Sequence, residues 1–132
     1  MDMRDICLTC HMDPGSHSFS KLCDVNNVSV FYTNPSEATK YNDNDGIMVH
    51  FQGMMSKHVN DKWGWIIDAS GFQTHHMMEL QLTRNLIELI NNNYISNLEY
   101  IKVKNTNVVV RRLFNVFLPV IGSDLAKKVT FE

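Results

Sequence analysis

The chain has 132 residues, the size of one domain built around a single hydrophobic core. Hydrophobic residues make up 44% of the chain and charged residues 20%, which is ordinary globular usage and excludes a disordered protein. The net charge of -2 gives no general attraction to nucleic acid, so we expect no nucleic-acid partner. No apolar run approaches the roughly 20 residues that a membrane span requires.

Residues 1–24 differ in character from the rest of the chain. They hold all three cysteines together with Pro14 and Gly15, and they show no clean helical or strand period. We predict a loop-rich lead segment here, followed by a single domain over residues 25–132. The N-terminus lacks the apolar stretch of a signal peptide. We therefore expect a cytoplasmic protein whose cysteines are reduced thiols or metal ligands rather than disulfides.

Strand and helix patterns alternate along the remaining chain. A β-branched and aromatic run predicts a strand at 28–32, and a dense apolar run predicts a second strand at 63–68. Between them, apolar side chains recur at spacings of three and four over residues 47–58, which marks one face of a helix. The polar stretch 36–45 has room for a further short helix.

The alternation continues in the second half. An apolar stripe from 78 to 90 predicts a long helix, and partial alternation predicts a strand at 98–103. The apolar positions from 109 to 120 keep helical spacing, so we predict a helix that ends or kinks near Pro119. Residues 129–131 predict a last edge strand. This order predicts an α/β fold, with a mainly parallel sheet of four to five strands and helices packed on it.

Four segments of the second half occur in the order and spacing of a known domain family. WIIDASGF at 65–72 resembles a family strand that ends in Asp, a small residue and Gly, and the helix expected at 75–94 occupies the place of the next family helix. LEYIKVKN at 98–105 resembles the following strand. LFNVFLPVIGSDLAKKVTF at 113–131 resembles the helix, proline and Lys-rich step into the last strand. Together they resemble the CRAL-TRIO lipid-binding family, particularly its compact BCH-like branch.

The resemblance implies a hydrophobic pocket between the sheet and a movable gate helix, holding a lipid or other apolar small molecule. Asp68 ends a strand, where open α/β sheets gather ligands. The alternative is that the helix simply packs on the sheet and that the domain is a protein-interaction scaffold, which the BCH-like branch also allows. The expected ligand-binding residues are Trp65, Asp68, Val109, Val110, Leu113, Phe114 and Phe117.

Cysteine and histidine residues near the N-terminus suggest a metal site. Cys7 and Cys10 have the two-residue gap that lets both thiolates reach one tetrahedral metal. His17 and Cys23 complete a Cys₃His set for zinc, with His11 as a spare candidate. A structural zinc would order a segment that has no core of its own. A single Cys-x-x-Cys pair leaves the alternative open, namely reduced thiols and surface histidines.

The C-terminal part of the chain is basic. From Lys102 onward it carries six Lys or Arg residues against Asp124 and Glu132. This pattern indicates either a solvated basic face or a surface for peripheral contact with an anionic membrane. The sequence leaves the oligomeric state open.

A Ser-His-Asp arrangement is the one enzymatic hypothesis that the sequence offers. Ser70 and His75 follow Asp68 closely, but the Gly-x-Ser-x-Gly spacing of a nucleophile elbow is absent. Phosphate loops, dinucleotide fingerprints and His-Glu-x-x-His are absent as well. We therefore expect a binding module rather than an enzyme.

Overall fold

The computed structural model describes residues 10, 12, 16–38, 43–58, 60–72 and 80–132. Its centre is a five-stranded sheet in the order β1-β2-β3-β4-β5. β1 runs antiparallel to β2, and the other neighbouring strands are parallel. The mainly parallel α/β fold predicted from the sequence is therefore confirmed. The strands are Ser20–Val25 (β1), Val28–Thr33 (β2), Lys62–Asp68 (β3), Leu98–Lys104 (β4) and Val129–Phe131 (β5).

Three α-helices in the described part of the chain connect the parallel strands. Asp43 caps the first helix by accepting a hydrogen bond from the Gly46 N–H at 3.3 Å, and Asn107 caps the third in the same way. No helix among the described residues is long and apolar enough to span a bilayer. The helices are Asn44–Ser56 (α1), Leu80–Leu89 (α2) and Val108–Ala126 (α3).

The helices pack on one face of the sheet. The parallel strands follow one another in chain order, and right-handed crossovers between such strands place every helix on the same side. Phe31, Trp65 and Ile101 lie in register on β2, β3 and β4 and form the middle of the core on that side. Phe51 of α1 and Phe117 of α3 belong to the same core.

β1 was not expected, because its sequence lies in the predicted lead segment. The hairpin to β2 turns through Asn26 and Asn27, with φ values of 53° and 67°. A two-residue loop with both φ values positive is the turn that suits antiparallel strands, and asparagine tolerates it well. Most residues of β1 are exposed, so this edge strand has almost no hydrophobic period by which to recognise it. The proposed boundary between residues 24 and 25 lies inside β1.

α3 is interrupted at Gly122, three residues beyond the expected kink at Pro119. Gly122 has φ 78° and ψ 165°, a conformation essentially confined to glycine. Asn91, just after α2, donates from Nδ2 to the carbonyl oxygens of Val120 and Ile121 at 3.4 and 3.0 Å. These bonds supply partners to carbonyl groups at the break in the helix. The break in α3 is therefore stabilised by hydrogen bonds from Asn91, which follows α2.

Replacing Gly122 tests whether the break is required. We expect Gly122→Ala to lower the free energy of unfolding by about 2 kcal/mol, because an L-residue is strained in this conformation. Urea denaturation would measure the change, and Ser123→Ala, at the exposed neighbouring position, should stay within about 0.5 kcal/mol of the parent protein. If Gly122→Ala were as stable as the parent, α3 would not need the break.

Candidate functional site

A cavity of about 300 Å³ lies between the sheet and the three helices. Side chains of β3 and β4 form its floor, and apolar side chains from α1, α2 and α3 form its roof. The lining is overwhelmingly apolar, so the cavity favours a hydrophobic occupant. Representative lining residues are Trp65, Ile67 and Ile101 from the sheet and Phe51, Leu86 and Phe117 from the helices.

α3, the helix predicted to cover a pocket, forms one wall of the cavity. Four of its five predicted residues line the cavity, and they are spaced along one helical face. Val109 lies between that face and the solvent side and is not among the lining residues. Past the break, Ile121 and Leu125 continue the wall. The four predicted lining residues are Val110, Leu113, Phe114 and Phe117.

Trp65 lies in the cavity floor and is 8% exposed. Its indole packs edge-on against Phe19 and tilted against Phe51, with ring centroids 5.5 and 5.6 Å apart. The indole N–H donates to Thr33 Oγ1 at 2.8 Å. Its one polar atom therefore has a partner inside the protein, and the ring presents an apolar surface to the cavity.

Asp68 lies outside the cavity lining, at the carboxyl end of β3. Its carboxylate accepts hydrogen bonds from Asn105 Nδ2 at 3.0 Å, from the Ser70 N–H and hydroxyl at 2.9 and 2.7 Å, and from the Tyr32 hydroxyl at 3.2 Å. The hydrogen bond from Asn105, followed by those from Ser70, lowers the pKa of Asp68 to about 2. This carboxylate joins the ends of β2, β3 and β4 to one another.

Of the polar side chains that line the cavity, only His17 was predicted as a site residue, and then as a metal ligand. His50 was overlooked although it lies three residues after Ile47 on a face already recognised as helical, and that spacing was the available signal. Burial lowers the pKa of the His50 imidazole, with the nearby His17 acting in the same direction and the hydrogen bond to the Phe19 carbonyl opposing it. The polar lining side chains are His17, Ser18, Thr33, His50 and Thr83.

His17 and His50 form a cluster with Cys10. The Cys10 Sγ atom lies 3.5 Å from His17 Nδ1 and 3.4 Å from His50 Nδ1. One ligand atom from each residue lies within 4.8 Å of the other two, so these three residues could hold a metal ion. Of the predicted ligand set Cys7, Cys10, His17 and Cys23, the structure brings together Cys10 and His17. Cys7 lies outside the described residues.

Cys23 is an exposed residue of β1 and is not part of this cluster. It pairs across the sheet with Val30, whereas the next residue of β2, Phe31, stacks on Phe19 with ring centroids 5.0 Å apart. Successive strand residues point to opposite faces. Cys23 is therefore on the face away from the helices, whereas the cluster is next to Phe19 on the helical face.

Comparison with known proteins identifies a domain family and a solved structure that are similar to this chain. A family profile described as CRAL/TRIO domain matches residues 24–132. Among solved structures, the chain is similar to the crystal structure of Sfh5, with 16% sequence identity and a TM-score of 0.68. The match covers 86% of this chain and 46% of the Sfh5 chain, so this chain spans less than half the length of that protein. At this identity the likeness concerns the fold alone. A search of curated proteins finds no match.

The Asp68 network predicts a specific pH dependence. Because the folded-state pKa of about 2 lies below the ordinary 3.8, its contribution to stability is fully present above pH 4 and is lost as the pH falls towards 2. We expect Asp68→Asn to lower the free energy of unfolding at pH 7 by about 1 kcal/mol, a value reduced for solvent screening, and to flatten the slope between pH 4 and 2.

Urea midpoints at pH 7, 4 and 3 would measure both effects. Asp124→Asn, at an exposed carboxylate of α3, is the matched control and should leave the midpoints close to those of the parent. An unchanged acid slope in Asp68→Asn would show that the network contributes nothing to stability.

Proposed function

The chain belongs to the CRAL/TRIO domain family, and we propose that it binds a lipid or other apolar small molecule in the cavity beneath α3. Members of this family generally bind lipids and typically catalyse no reaction. We extend both properties to this chain. The observation that carries the proposal is the apolar cavity itself.

The size of the cavity argues for an occupant. Apolar side chains that line an unfilled space lose the van der Waals contacts they would make with neighbouring atoms. Such a loss of contacts destabilises a folded domain. An apolar ligand would restore the missing contacts, which favours a binding role over simple packing of α3 on the sheet.

The volume also constrains the ligand. Pockets for small molecules run from about 300 to 1,000 Å³, and this cavity lies at the lower end of that range. A compact or single-chain apolar molecule suits it better than a lipid with two long chains. The polar lining groups beside His17 and His50 would meet the polar end of such a molecule.

α3 is the element we propose as the gate. It contributes one wall of the cavity, and its course is broken at Gly122. Such a break would act as a hinge between the part before it and the part that leads into β5. Moving it would uncover Leu113 and Phe117 and open the cavity to a ligand.

The outward face of α3 suggests where the ligand is exchanged. Val116 and Leu118 flank the buried Phe117 and are 58% and 43% exposed, and Arg111 and Arg112 are exposed as well. Apolar side chains beside basic ones are typical of a surface that touches an anionic membrane. The same apolar residues favour the second candidate, a protein-interaction scaffold, because exposed apolar patches also mark protein interfaces.

Filling the cavity tests the binding proposal. We expect Leu113→Trp to weaken binding of dansyl undecanoic acid at least tenfold, because the indole would take the volume of the ligand. Val116→Trp, on the outward face of the same helix, is the matched control and should bind as the parent does. Fluorescence titration gives the affinities. A parent protein that binds no such probe and releases no apolar molecule on denaturation in mass spectrometry would refute the proposal.

Membrane contact through α3 has a separate test. We expect the double change Val116→Ser with Leu118→Ser to reduce co-sedimentation with vesicles of phosphatidylcholine and phosphatidylserine at least fivefold. The matched control is Leu22→Ser with Val49→Ser, which removes apolar side chains of similar exposure elsewhere. If the parent fails to bind vesicles, the proposed membrane contact is wrong, and the exposed apolar residues of α3 would instead favour a protein partner.

A further inference from the structure

The Cys10, His17 and His50 cluster has the dimensions of a zinc site. A tetrahedral zinc with Zn–S near 2.3 Å and Zn–N near 2.05 Å separates its sulfur and nitrogen ligands by about 3.6 Å. The two sulfur–nitrogen distances here are 3.5 and 3.4 Å. Both sulfur–nitrogen distances therefore lie within about 0.2 Å of the value for a tetrahedral zinc.

Both histidines are already oriented as metal ligands. His17 Nε2 lies 2.9 Å from Asp43 Oδ2, and His50 Nε2 lies 2.6 Å from the Phe19 carbonyl oxygen. Each of these oxygens accepts a hydrogen bond, which places a proton on Nε2 and, in a neutral ring, leaves the lone pair on Nδ1. A carboxylate or carbonyl behind the ring is the usual outer partner of a metal-bound histidine.

The Nδ1 atoms of both histidines face the same Cys10 sulfur. A divalent cation would accept lone pairs from the sulfur and both nitrogens together. His17 has a side chain that is 1% exposed, so water is largely kept from it.

From this geometry we infer that Cys10, His17 and His50 bind one divalent transition-metal ion, with zinc the expected ion. Thiolate and imidazole are the donors that zinc favours. This ligand set shares Cys10 and His17 with the predicted one and adds His50 from a distant part of the chain. Cys23 lies on the other face of the sheet, and Cys7 lies outside the described residues.

The site joins parts of the chain that are far apart in sequence. Cys10 and His17 precede β1, whereas His50 belongs to α1, so the ion crosslinks the start of the chain to a helix of the domain. Asp43 strengthens the connection, because its carboxylate both caps α1 and holds His17. His17 and His50 also line the cavity, which places the ion at the cavity wall.

Cobalt titration of the metal-stripped, reduced protein tests the site directly. We expect one equivalent of Co²⁺ to produce thiolate-to-cobalt charge-transfer absorption together with the visible bands of a tetrahedral ion, and zinc to displace it. Cys10→Ser should abolish the charge-transfer band, and His50→Gln should weaken metal binding at least 100-fold. Zinc should raise the melting temperature of the stripped parent and leave that of Cys10→Ser unchanged.

Matched variants separate the cluster from general effects. Cys23→Ser and His58→Gln change the same residue types outside the cluster and should bind cobalt like the parent. Circular dichroism establishes that each variant is folded, and the titration of the parent stands even if one is not. The inference fails if the parent gives no tetrahedral cobalt spectrum, or if the controls lose binding as much as the cluster variants do. It is independent of lipid binding.

Discussion

Packing on a single face of the sheet is the constraint from which the remaining features follow. Four parallel strands in chain order, joined by right-handed crossovers, send every connecting helix to one side. The other side is covered partly by its own side chains. Gly64 lies beneath the ring of Tyr100, where any Cβ would come within 2.3–2.7 Å of the ring atoms, and the Lys102 ammonium lies 4.7 Å from the centre of that ring. The glycine between two tryptophans of β3 thus makes room for a neighbouring aromatic ring.

On the helical side, the same constraint produces the cavity. The three helices share one face and lean on a row of large side chains, including Trp65, while β5 contributes only three residues to the far edge. α3 closes the remaining space and consequently has two apolar surfaces. Phe117 faces inward and is buried, and Val116 beside it faces outward and is exposed. α3 thus has apolar side chains at exposed positions as well as on its buried face, which suits the gate that we propose.

Strong periodic patterns made the order of strands and helices predictable, and weak or long-range signals account for what was missed. The helical spacing of Leu113 and Phe117 correctly outweighed the strand propensity of the preceding valines. The position of the break was less accessible, because proline is the obvious disruptor and the positive φ of Gly122 depends on its tertiary setting. β1 was not predicted because an exposed edge strand has little alternation of apolar and polar residues. His50 was not predicted as a ligand because motif spacing relates residues that are close in sequence, whereas a folded chain can build a site from residues that are far apart in sequence.

The proposed metal site shares His17 and His50 with the cavity lining, so a bound ion would stabilise that part of the cavity wall. A small domain buries a smaller fraction of its surface than a large one and has correspondingly low stability. A metal ion that binds the folded chain better than the unfolded chain stabilises the fold. An ion held by His17 and His50 would fix α1 against the segment before β1 at the edge of the cavity. The wall around that end would then stay in place while the part of α3 before Gly122 moves to admit a ligand.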